Sequence, residues 1–150
     1  MLDTNDPAPD FTLPGNNATN IQLLQFRGKH VVLFFYPRDD TSGCTRECLN
    51  FSEAKETFDK KDTVVIGISK DSVASHDKFI AKHQLTIPLL SDENNTTCED
   101  YGVWKEKNMY GKKYMGIERS TFLIGRDGKI VKVWRKVKVP GHVADVLSTL

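Results

Sequence analysis

The run "HVVLFFYP", 30–37, constrains the fold more than any other stretch of the chain. It is almost continuously apolar, with β-branched and aromatic side chains throughout, and is far too short to span a bilayer. A run of this kind is expected for a central strand covered on both faces. Turn-forming residues follow at once in "RDDTSG", and then come Cys44 and, four positions on, Cys48.

The remaining pattern builds outward from that strand. "DFTLPG" and "TNIQL" predict short strands around an "NNATN" turn, and "DTVVIGIS" and "IPLLSD" predict two more buried strands. Leu49, Phe51, Ala54 and Phe58 recur at roughly helical intervals, which predicts a helix over 45–61 beginning near Cys44. "SVASHDKFIAKHQL" predicts a second helix capped by Asp71 or Ser72. "NNTTCEDYGV" predicts a short helix capped by Thr96 or Thr97 and ended by Gly102. "STFLIGRDGKIVKVWR" reads as two strands around an Asp-Gly turn, and "GHVADVLSTL" as a closing helix. Strand–helix–strand alternation implies parallel pairing, to which the hairpin adds an antiparallel edge. The expected architecture is an α/β three-layer α/β/α sandwich with a mixed central sheet and an N-terminal β extension. This pattern fits a thioredoxin-like fold without excluding other small α/β folds.

No repeat or linker-like tract divides the 150 residues, so one domain over 1–150 is expected. A formal net charge of +1 gives no reason to expect nucleic acid or an anionic membrane as partner. The basic stretch "KVWRKVKV" is interleaved with apolar residues and reads as a strand with a charged outer face. The N-terminus "MLDTNDPAPDF" is acidic and lacks the apolar core of a signal peptide, which favours a cytoplasmic location. There thiols stay reduced, and three cysteines are expected to be catalytic, metal-binding or buried rather than a structural framework. Cys44, Cys48 and Cys98 do not follow zinc-knuckle spacing and the four histidines are scattered, so no metal or other cofactor is expected.

Reactive groups in open α/β sheets gather where strand carboxyl ends meet helix N-termini. Cys44 falls at such a junction, where free N–H groups and the helix dipole stabilise a thiolate. Gly43 leaves room for a small ligand, Thr41 brings a hydroxyl three residues before the sulfur, and Pro37 stiffens the loop entry. The competing reading is a small buried cysteine, which the polar, turn-rich surroundings oppose.

Pro37-x-x-x-Thr41-x-x-Cys44 resembles the P-x-x-x-T-x-x-C signature of peroxiredoxins, and "FFYPRDDTSGCTRECLNF" is similar to the bacterioferritin comigratory protein, or PrxQ, subgroup. "VVIGISKDSVASHDKF", "PLLSDENNTTCEDYGVW" and "GIERSTFLIGRDGKIVKVW" extend the resemblance, in the same order, over nearly the whole chain. Ser42 stands where the subgroup usually has proline. Many members carry a second cysteine at the position occupied here by Leu49, and others in the helix that spans 72–84, which has none.

The resemblance implies a thiol-dependent peroxidase acting on hydrogen peroxide and organic hydroperoxides in antioxidant defence. Cys44 attacks and becomes a sulfenic acid, and a thioredoxin or glutaredoxin-like reductant restores it. It also implies that Thr41 bonds the sulfur or the peroxide, that N–H groups around Gly43 and Cys44 face the oxygens, and that Arg119 supports the thiolate. Glu47, one helical turn after Cys44, is expected to pair with Arg119 if it faces inward and to be solvated if it does not. Trp104 is expected to pack, and the histidines receive no role.

The resolving group stays open among Cys48, Cys98 and an external thiol, with Cys48 favoured. Side chains four apart on a helix have Cβ atoms about 5–6 Å apart, whereas a disulfide needs roughly 3.5–4.5 Å. Pairing of Cys44 with Cys48 therefore requires the first turn to unwind. Cys98 opens a helix that is potentially on the same side of the sheet. A monomer is expected. A thiol–disulfide oxidoreductase, lacking its C-x-x-C, and a stoichiometric peroxide sensor are the alternatives.

Overall fold

The computed structural model describes residues 1–150, and the chain enters it through an antiparallel ribbon, β1 (Thr12–Pro14) against β2 (Asn20–Gln22). The apolar run forms β3 (His30–Phe35), buried from Val31 to Phe35. Two helices follow, α1 (Ser42–Glu53) and α2 (Lys55–Lys60), then β4 (Thr63–Ser69), α3 (Val73–His83), β5 (Leu89–Ser91) and α4 (Thr97–Asp100). A hairpin of β6 (Trp104–Met109) and β7 (Lys112–Ile117) precedes β8 (Ser120–Ile124), β9 (Ile130–Trp134) and α5 (His142–Leu147).

The main sheet has the order β5-β4-β3-β8-β9. Strand β3 is its centre, parallel to β4 and antiparallel to β8, so that Phe35 stands opposite Ser120. This is the mixed sheet of a thioredoxin-like α/β fold. Successive β3 side chains point to opposite faces. Val31, Leu33 and Phe35 join one core, with Phe11 and Leu13 of the N-terminal segment and Cys98 and Tyr101 around α4. Val32, Phe34 and Tyr36 join the other, with Cys44, Cys48 and Phe51 of α1, Phe79 of α3 and Val146 of α5. Phe34 stacks on Phe51 with ring centroids 4.5 Å apart, which fixes α1 across β3.

Three details differ from the sequence expectations. Helix α1 begins at Ser42, earlier than expected, because Thr41 already has the extended N-cap conformation (φ −92°, ψ 156°). The helix expected over 45–61 is broken at Ala54, although the Phe58 N–H still bonds the Ala54 carbonyl. The β6–β7 hairpin, unassigned from sequence, turns through Tyr110 and Gly111, both at positive φ.

Candidate active site

The site is built where β3 ends and α1 begins. Tyr36 is buried and Pro37 half-buried; the chain then turns at Asp40, whose φ is +58°, and enters the helix. The helical ladder begins with the Thr45 N–H donating to the Thr41 carbonyl at 2.8 Å. The N–H groups of Ser42, Gly43 and Cys44 precede it, and Cys44 lies in this first turn at the positive end of the helix.

Arg119 reaches the same point from the neighbouring strand. It immediately precedes β8, whose Ser120 is registered against Phe35, and its carbonyl accepts the Val137 N–H at 3.0 Å. Its Nη1 donates to Glu47 Oε1 at 2.7 Å and its Nη2 to Cys44 Sγ at 3.3 Å. A Cβ on Gly43 would lie 3.3 Å from Nη2, so the glycine permits this close approach. Burial works against the charge of Arg119, but Glu47 and Cys44 outweigh it and hold the guanidinium protonated. Glu47 is fully buried, with Oε2 unpartnered. Burial pushes its carboxyl up to about 7, against the pull of Arg119.

The surroundings of Cys44 are less polar than its neighbours in sequence suggest. Cys44 is 1% exposed and Cys48 0% exposed, and both pack in the core that contains Phe34 and Phe51. The polar contact to the Cys44 sulfur comes from Arg119, arriving from another strand. Both thiols are free. Cys48 is pushed well above the ordinary thiol range by burial, then by Glu47 and Cys44, and is a neutral thiol. Cys98 does not share their side of the sheet. It belongs to the opposite core, where its N–H donates to Asp92 at 2.8 Å, and burial followed by that carboxylate also pushes its thiol up.

Thr41 stands at the N-cap of α1, three residues before Cys44. Its hydroxyl donates to the Arg38 carbonyl at 3.0 Å rather than to the sulfur, because at the N-cap it closes the local turn. It lines a cleft of about 540 Å³ together with Pro37 and Arg38, faced by Trp104, Lys107, Met109 and Tyr114 of the β6–β7 hairpin. Lys107 was not singled out from sequence; burial and then Arg119 lower its pKa, which puts it in the electrostatic reach of the site. No local signal marks Lys107, because the hairpin strands "WKEKNM" and "KKYMGI" are largely solvated. Trp104 packs against the core, with the Lys70 ammonium 5.1 Å from its ring centroid. Among the histidines, His142 bonds Thr121 at 2.8 Å and His83 bonds Asp40 at 2.9 Å. His76 bonds Asp39 at 2.8 Å.

Comparison with known proteins adds an independent line. The model of the AhpC/TSA family matches residues 4–133. A putative peroxiredoxin bcp of Coxiella burnetii is 50% identical over 149 residues, covering 99% of each chain. Peroxiredoxin Bcp of Bacillus subtilis is 47% identical, covering 99% of this chain and 95% of its own. Among solved structures, a cysteine-to-serine variant of Xylella fastidiosa PrxQ superposes with a TM-score of 0.94 at 40% identity, covering 99% of this chain and 95% of that one. The Xanthomonas campestris bacterioferritin comigratory protein, studied for alkyl peroxide reduction, gives 0.88 at 45% identity, covering 93% and 88%.

Proposed function

The chain belongs to the AhpC/TSA family and is a peroxiredoxin of the Bcp/PrxQ type, and from that membership we propose how its own residues run the thiol peroxidase cycle. The Cys44 thiolate attacks one peroxide oxygen. An S–O bond forms as the O–O bond breaks, and the departing oxygen takes the electron pair and a proton. Water leaves from hydrogen peroxide, or an alcohol from an organic hydroperoxide, while the sulfur is oxidised to a sulfenic acid. Arg119 stabilises the thiolate and then the charge that spreads onto the departing oxygen. The first-turn N–H groups at Gly43 and Cys44 face the same oxygens. The Thr41 oxygen, having given its hydrogen to Arg38, keeps lone pairs to accept from the peroxide, and Pro37 stiffens the wall beside it. One observation carries this reading: a single guanidinium spans Cys44 Sγ and the buried Glu47 at the start of a helix.

Cys48 then resolves the sulfenic acid. Its thiol condenses with Cys44, an S–S bond forms and water leaves. A thioredoxin or glutaredoxin-like dithiol reduces the disulfide by exchange and is itself oxidised. Residence on the same helix and the same face as Cys44 supports Cys48 over Cys98. Organic hydroperoxides are supported as substrates by the cleft beside Pro37, with Trp104 and Met109 on its far wall, and by the alkyl peroxide reduction studied in the Xanthomonas relative. One chain carries Cys44, Cys48 and Arg119, so a monomer suffices for the cycle. No helix is long and apolar enough to cross a membrane, which is compatible with antioxidant work in the cytoplasm.

The test is coupled peroxide consumption with a thioredoxin-type reductant. Cys44→Ser is expected to abolish turnover, and turnover that persisted would overturn the assignment.

A further inference from the structure

The loop that leads into α1 is held by a buried carboxylate that the peroxidase cycle leaves unused. Asp39 accepts from Tyr36 Oη at 2.6 Å on one oxygen and from Ser75 Oγ at 2.7 Å on the other. The second oxygen also lies 2.8 Å from His76 Nδ1. His76 Nε2 lies 2.9 Å from the Leu90 carbonyl, a pure acceptor, so Nε2 carries a hydrogen. The His76 and Asp39 side chains are 0% and 4% exposed. The Asp39 N–H adds a bond to Asp71 at 2.8 Å. One residue of the loop is thus tied to the end of β3, the start of α3 and the segment after β4. Its neighbour Asp40 is tied to Lys82 and His83 only by exposed pairs, which hold little.

We propose that Asp39 is a positioning residue that pins the start of α1 in the peroxide-reactive arrangement and opposes the unwinding that the Cys44–Cys48 disulfide needs. This rests on the reading of Cys44 as attacker and Cys48 as resolver. In the intact helix the two side chains stand a full turn apart, and both are buried. The first turn must therefore open between two fixed points. Downstream the fixed point is Phe51, 0% exposed and stacked on Phe34. Upstream it is Asp39. Releasing the upstream point lowers the cost of local opening and at the same time loosens the alignment of Cys44 with Arg119. The two half-reactions are then driven in opposite directions.

The hydrogen-bond chemistry predicts which substitution releases the loop. In Asp39→Asn the amide oxygen still accepts from Tyr36, and the amide nitrogen donates to Ser75 and to His76 Nδ1, both of which can accept. In Asp39→Ala Ser75 Oγ loses its partner, and Tyr36 Oη and His76 Nδ1 are left only the long 3.4 Å contact with each other.

The experiment measures the two steps separately by rapid quench and mass analysis: sulfenic acid formation, trapped by a dione reagent, and disulfide formation. For Asp39→Ala the attack step is expected to slow by about tenfold or more, while disulfide formation speeds up severalfold. For Asp39→Asn both are expected to stay within about twofold of the wild type. Equal slowing of both steps, no change in either, or an Asn variant that matches Ala would overturn the proposal. If Asp39→Ala does not fold, Tyr36→Phe and Ser75→Ala each remove one bond and must show the same opposed changes at smaller size. Wild-type protein that formed no Cys44–Cys48 disulfide would instead sink the resolver reading. The attack step then decides alone, with loss in Ala and recovery in Asn as support and no loss as refutation.

Discussion

Cys44 and Cys98 lie on opposite faces of the central sheet, the first packed with Phe34 and Phe51, the second with Phe35 and Tyr101. Strand β3, which carries Phe34 and Phe35, separates the two thiols, so reorganising the first turn of α1 does not bring them together. Cys98→Ala is expected to leave steady-state peroxide turnover within about twofold of the wild type while costing about 1–2 kcal/mol of stability in the core. A collapse of turnover in a folded Cys98→Ala protein would remove Cys48 from the cycle.

Arg119 serves two acceptors at once through the fork of its guanidinium. Lysine, a single point charge, cannot hold both geometries. Arg119→Lys is expected to lower the rate of peroxide attack on Cys44 by about 10²–10³, measured by stopped-flow oxidation. A rate within a few-fold of the wild type would mean that charge alone is enough.

The buried Glu47 carboxyl makes stability depend on pH in a defined direction. Its ordinary value is 4.5, and burial, only partly opposed by Arg119, raises it to about 7 in the folded chain. Below 4.5 both states hold the proton and the group contributes no penalty. Between 4.5 and about 7 the unfolded chain releases a proton that the folded chain keeps, so stability falls as pH rises. The full loss above that window is about 3 kcal/mol. His142, whose pKa burial lowers from 6.5 to about 4, adds an opposite slope to both proteins. The difference in urea unfolding between wild type and Glu47→Gln from about pH 5 to about pH 8 should therefore carry the Glu47 slope. Parallel curves would contradict it.

The Thr41 hydroxyl donates to Arg38 and retains acceptor capacity toward the cleft. Thr41→Ser should keep peroxide attack near the wild-type rate, whereas Thr41→Val should slow it by about tenfold, the worth of one hydrogen bond. Equal rates for the two variants would assign Thr41 to the turn alone.

Much of this fold was legible in the chain because its core strands are apolar almost without interruption. "HVVLFFYP" and "DTVVIGIS" supply β3 and β4, and the Asp-Gly turn at 127–128 marks the β8–β9 pair. The β6–β7 hairpin was not legible, since its strands, "WKEKNM" and "KKYMGI", are largely solvated and carry no alternating apolar face. Cys44 was legible from its place between strand and helix. Its burial was not, because the aromatic residues around it come from β3 and from the far end of α1. The face occupied by Cys98 depends on which side of the sheet α4 covers, a tertiary fact with no local signature. The same holds for Asp39: an acid in a turn-rich loop reads as solvated, and only the arrival of Ser75 and His76 from α3 shows it buried.

The most direct test of the cycle is intact-mass analysis after one equivalent of peroxide, with peptide mapping of the product. The account predicts loss of two hydrogens in the wild type, mapped to a Cys44–Cys48 bond and unchanged in Cys98→Ala. It predicts a gain of oxygen at Cys44 in Cys48→Ser and no change in Cys44→Ser. A disulfide that persists in Cys48→Ser, or oxidation that persists in Cys44→Ser, would contradict it.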